Sequence, residues 1–149
     1  MPTQIRPEST GEVRLASDDP HHSPVIDPNY LDADGDIEPL VEGVQLAREI
    51  AQADALDPYR GEEVHPGPDV TSEEEIEAFV REHTTTVYHP AGTCKMGDDE
   101  MAVVDDELHV HGVSGLRVAD ASIMPDIVGG NTNAPSIAIG EKAADLIAE

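Results

Sequence analysis

Two short stretches hold the side chains best suited to chemistry: VYHPAGTCKMG at residues 87–97 and VGGNTNAP at residues 128–135. His89 supplies an imidazole, which has an ordinary pKa of ~6.5 and can act as a base near neutral pH. Pro90 bars residue 89 from helical geometry and pushes it toward an extended conformation. Gly92 and Gly97 bracket the rest of that loop and let the backbone turn tightly or approach a ligand. In the second stretch Gly129 and Gly130 precede two carboxamides, Asn131 and Asn133, before Pro135 opens an apolar helix. A base on a stiff loop and an amide donor at a helix start are the parts of a site. They lie 42 positions apart, so the fold must bring them together.

The elements that must do so are readable in part. EVRLA, Glu12 to Ala16, alternates and predicts a short strand. Pro20, Pro24 and Pro28 predict an extended, turn-rich loop after it. Asp32, Asp34 and Asp36 resemble a calcium loop, but Ile37 and Gly43 stand where that loop needs glycine and glutamate. They read instead as an acidic turn, with Asp36 capping a helix from Ile37 to Ala55. Ile37, Leu40, Val41, Val44, Ala47 and Ala51 form the apolar stripe of that helix. Residues 57–70 read as loop, with His65 exposed. Ser72 and Glu75 make a capping box for a second helix that buries Ile76, Phe79 and Val80 and ends near His83. Met101–Val104, Leu108–Val110 and, more strongly, Leu116–Ser122 read as strands. Asn133 is placed to cap the last helix, with Pro135 in its first turn. Gly140 suggests close packing of that helix against a neighbour.

The length of 149 residues suits one domain. With no Trp and one Phe, the core must rest on Val, Ile, Leu and Ala. Net charge is −24, from 32 acidic and 8 basic side chains, which excludes nucleic acid and anionic membranes as partners. Acids spread over the whole chain with few lysines suggest a halophilic protein. The single cysteine, Cys94, permits no internal disulfide, no apolar run approaches the ~20 residues of a membrane span and no signal-like leader is apparent, so a cytoplasmic location is expected.

HPAGTCKMG, GLRVADASIMP and GGNTNAPSIAIGEKAADLI, in that order, resemble the carboxy-terminal region of the glucose-methanol-choline oxidoreductases, and choline-dehydrogenase-like members above all. Those are flavin enzymes that oxidise alcohols. The resemblance spans about Val13 to Ile147. It implies an α+β chain: part of a substrate-domain sheet with helices over residues 1–86, then an active-site loop, strands and a helix over residues 87–149 that complete an FAD-binding α/β domain.

The resemblance also implies roles. His89 matches the family's base, which takes the hydroxyl proton while a hydride leaves the carbon for the flavin. Asn131 matches a position that is asparagine in choline-oxidising members and would steady the developing alkoxide. Asp120 and Ala121 match positions near the FAD diphosphate and ribityl chain, and Asn131 and Thr132 lie where the backbone reaches the isoalloxazine. The family's amino-terminal strand–GxGxxG–helix unit is absent from this sequence. The chain is therefore expected to need an N-terminal FAD-binding half or subunit, to act on a small alcohol only with it, and not to hold flavin alone. Two alternatives stand beside this. One is an inactive remnant or accessory domain. The other is a metal-binding module built from His83, His89 and Cys94 with His109 or His111, although the spacing fits no familiar zinc pattern and no metal site is expected.

Overall fold

The computed structural model describes residues 2–148. The chain clusters into two compact units, one up to Val87 and one from Tyr88 onward. Among the described residues there are three α-helices and one two-stranded sheet.

In the first unit β1 (Glu12–Arg14) pairs antiparallel with β2 (Val25–Asp27), with Val13 opposite Ile26. β1 is shorter than EVRLA predicts and is solvent-exposed. β2 falls in the stretch expected to be loop. Its three residues fit between Pro24 and Pro28, neither of which has to donate to the ladder.

Helix α1 (Glu38–Ala51) carries Pro39 in its first turn and ends four residues before the expected Ala55; a short 3₁₀ turn, Asp54–Leu56, follows. Asp36 does not cap it. Ile37 holds the cap position without a side-chain bond. Asp36 is instead buried, at 1% exposure, and faces the amino-terminal segment. Its Oδ1 accepts from Gln4 Nε2 at 2.9 Å and the Glu8 amide at 2.7 Å. Its Oδ2 accepts from the Ser9 amide at 2.8 Å and from the Ser9 hydroxyl. Burial works against ionisation, but these donors outweigh it and hold the carboxyl below its ordinary range.

Helix α2 (Glu73–His83) has the capping box that Ser72 and Glu75 predict. The Ser72 hydroxyl accepts from the Glu75 amide, and Glu75 Oε2 accepts from the Ser72 and Thr71 amides, both at 2.9 Å. Ile76 and Val80 bury against Val41 and Val44 of α1, with Leu40 and Phe79 at the margin. The far half of the α1 stripe is not covered: Ala47 and Ala51 are exposed, as are Leu46 and Ile50 outside it. Arg48 ties the intervening loop by donating to the carbonyls of Gly67 and Val70 and pairing with Glu63.

In the second unit Val104, Leu108, Ile123 and Ala143 form the core, with Met96, Val103, Val110, Val118, Ile139 and Leu146 around them. The expected strands reduce to isolated bridges: Met96 with Val104, Val104 with Val110 and His109 with Arg117. The reason is local. Asp105 Oδ1 accepts from the amides of Glu107 and His109 and folds a turn. Leu108 has φ +70°, and Gly112 and Gly115 are left-handed as well, so no extended pairing can propagate. Helix α3 (Asn133–Ala148) closes the unit through Ala143, Ile139 and Leu146. A Cβ on Gly140 would meet nothing within 4 Å, contrary to the close packing expected of it.

Candidate active site

The His89 loop is fixed by a backbone ladder. The amides of Gly92, Cys94 and Met96 donate to the carbonyls of Ala121, Ser122 and Ile123 at 3.3, 2.9 and 2.8 Å. The Gly97 amide then donates to Val104. Gly92 is needed for two reasons: its φ is +86°, and a Cβ there would stand 3.2 Å from the Met124 carbonyl oxygen. Tyr88, just before the histidine, has φ +63°, a region that non-glycine residues enter at a cost and that recurs at functional sites.

The second strip is fixed by α3. The Thr132 carbonyl accepts from the Ser136 amide at 3.0 Å and from the Ser136 hydroxyl at 2.7 Å, so the helix is anchored on Thr132. Asn133 is the first helical residue and not the cap.

Between these supports, His89 is gripped at both ring nitrogens. Asn131 Nδ2 lies 3.0 Å from Nε2, and Thr132 Oγ1 lies 3.1 Å from Nδ1. His89 is half-buried, Asn131 exposed and Thr132 buried. The structure therefore joins three of the five residues picked from the sequence. The role of the Thr132 side chain was missed; its hydroxyl, adjacent to the asparagine, was the available signal.

Asp120 and Ala121 stand beside this group, in an open pocket of about 360 Å³ lined also by Pro90, Ala91, Thr93, Ser122 and Ser136. Asp120 Oδ1 caps the Ala121–Ile123 turn by accepting from the Ser122 amide at 2.7 Å. The Ser122 hydroxyl and amide together hold this carboxyl below its ordinary range, so it is ionised at neutral pH.

The other candidate ligands are engaged elsewhere. His83 Nδ1 bonds the Phe79 carbonyl and His111 Nε2 the Gly97 carbonyl, while His109 Nδ1 lies 3.4 Å from Asp105. Among the described residues no three His, Cys, Asp or Glu side chains are grouped to hold a metal ion. No helix among them is long and apolar enough to cross a membrane.

The family model described as GMC oxidoreductase matches residues 7–140. The oxygen-dependent choline dehydrogenase of Pseudomonas syringae pv. tomato is 54% identical over 143 residues, 96% of this chain and 25% of the relative. Pyridoxine 4-oxidase from Mesorbium loti has a similar structure, with TM-score 0.86 and 36% identity over 95% of this chain and 28% of that one. An FAD-dependent oxidoreductase from Chaetomium thermophilum aligns with TM-score 0.87 and 34% identity, over 95% and 25% respectively. The chain thus spans about a quarter of the length of the relatives it matches. With the ordered motifs, the ladder-held histidine loop and these likenesses together, the chain belongs to the GMC oxidoreductase family, within its C-terminal domain.

Proposed function

We propose that the chain is the C-terminal part of an FAD-dependent alcohol oxidoreductase of the choline-dehydrogenase-like branch, and that His89 is its base. The observation that carries this is the 3.0 Å approach of Asn131 Nδ2 to His89 Nε2. An alcohol oxygen within reach of both atoms would replace their mutual hydrogen bond. Its proton would pass to Nε2, and the amide N–H would then stabilise the developing alkoxide. The exposure of Asn131 leaves that position accessible. A small alcohol, choline in the relatives' name, suits a site with one base and one neutral donor.

The residues present fit one wall of a flavin site. The pocket between the histidine loop and α3 offers hydroxyls from Thr93, Ser122 and Ser136 and the carboxylate of Asp120. An ionised Asp120 suits a ribityl hydroxyl, which can donate to it, and repels a diphosphate. The flavin supplies the hydride acceptor when bound. Without a GxGxxG strand–helix unit in this sequence, the phosphate cradle must come from an N-terminal part. Its docking face is the outer side of α3, where Ile137 and Ile147 are exposed at 59% and 65% and Gly140 faces open space. In this reading residues up to about 86 belong to the substrate domain and the rest to the flavin domain.

The test is to express the chain with a complementing N-terminal half. The pair should bind flavin and oxidise alcohols, the chain alone should stay colourless, and His89→Ala should lower kcat at least ~10²-fold. Unchanged turnover in that variant would remove His89 from the chemistry.

A further inference from the structure

His89 has two hydrogen-bonding neighbours and, when neutral, one ring proton. The Asn131 group facing Nε2 is the amide nitrogen, which can only donate. Nε2 must therefore accept, and the proton must sit on Nδ1. Thr132 Oγ1, 3.1 Å from Nδ1, is then an acceptor for Nδ1–H. We infer that Thr132 is a positioning residue: its hydroxyl oxygen holds His89 in the Nδ1–H tautomer and keeps the Nε2 lone pair facing the reaction side.

The energetics favour this assignment. The opposite tautomer would aim Nε2–H at an amide N–H, two donors facing each other, and would leave a buried hydroxyl to rearrange. Thr132 is only 9% exposed, so water cannot readily replace it as the acceptor. When Nε2 takes a proton, the ring becomes an imidazolium with N–H at both nitrogens, and the Nδ1–H to Oγ1 bond persists unchanged. Thr132 can thus hold the ring through the proton transfer, whereas the Asn131 bond must break. The threonine is itself held in place, because its carbonyl anchors α3 through Ser136. This assigns the Thr132 side chain to the base; the role expected from the family resemblance concerned its backbone near the flavin.

The inference rests on His89 as the base, but its test does not require turnover. The full chain is labelled with ¹⁵N-histidine, and the His89 ring signals are assigned by their loss in His89→Gln. Two-bond correlations then report which nitrogen carries the proton. Wild type and Thr132→Ser should show Nδ1–H; Thr132→Val, of similar shape without the acceptor, should show a mixture or Nε2–H. If the valine variant does not fold, Thr132→Ala serves as the acceptor deletion. An Nδ1–H tautomer unaltered in a folded acceptor-deleted variant overturns the inference. In the complete flavoenzyme, Thr132→Val should lower kcat about tenfold or more, because a ring in the wrong tautomer presents no lone pair at Nε2, with serine restoring it. A tautomer that moves while His89→Gln leaves turnover intact would sink the base and leave the positioning standing. A turnover lost in His89→Gln with the tautomer unmoved would do the reverse.

Discussion

His89 Nε2 and Asn131 Nδ2 meet at 3.0 Å although 42 residues separate them along the chain. The contact joins a loop laddered onto residues 121–123 to a strip anchored on the start of α3. On the proposed function, with a complementing N-terminal half present, Asn131→Ala should reduce kcat by about 10²–10³-fold, the usual loss when one donor to a developing oxyanion is removed. Steady-state kinetics check it; an effect confined to KM would show that Asn131 binds the alcohol without favouring the transition state.

Asp36 should be a major stabilising residue of the first unit. Asp36→Asn replaces one acceptor oxygen with an amide nitrogen and strands donors from Gln4 and Glu8 or from Ser9. The expected loss is about 1.5–3 kcal/mol, read from the denaturant midpoint.

The same carboxyl gives an acid dependence of definite sign. Its folded value lies below the ordinary 3.8, so the unfolded chain binds its proton first as pH falls. The contribution is present above pH ~3.8 and fades below it, as pH drops through the folded value. Stability measured between pH 6 and pH 2 should therefore decline less steeply in Asp36→Asn than in wild type.

Ser72→Ala should cost about 1 kcal/mol by freeing the Glu75 amide at the start of α2. Circular dichroism melting of the variant checks this, and an unchanged midpoint would mean that water caps the helix equally well.

Salt should stabilise the protein. With 32 acids and 8 bases, repulsion acts over the whole surface, and its range shrinks from ~8 Å at 0.15 M salt to ~3 Å at 1 M. Arg14–Glu12 and Arg81–Glu77 are exposed pairs whose screening costs little. The melting temperature should rise with potassium chloride; a flat response would rule out a halophilic adaptation.

Legibility in the sequence followed the range of the interactions. The Ser72–Glu75 box could be read because both partners lie within one turn of helix. The pairing of His89 with Asn131 was anticipated from residue types and the family's motifs, since both flank rigid backbone. Asp36 was misread as a cap because its true partners, Gln4, Glu8 and Ser9, lie some 27 to 32 residues away and no local pattern marks them. β2 was hidden by its flanking prolines, whose missing amides forbid only a longer strand. Leu116–Ser122 looked like a strand by composition, yet Asp120 could turn the chain by accepting from Ser122. The Thr132 hydroxyl is not legible because the family resemblance speaks only to that residue's backbone, and its partner His89 lies 43 positions away.

Thr132 is both the hinge pin of α3 and the clasp on Nδ1 of His89. The orientation of the imidazole is consequently inherited from a 16-residue helix rather than from its own loop alone. Fraying of the first turn of that helix would release the contact at Nδ1 and loosen the ring even with its own loop intact.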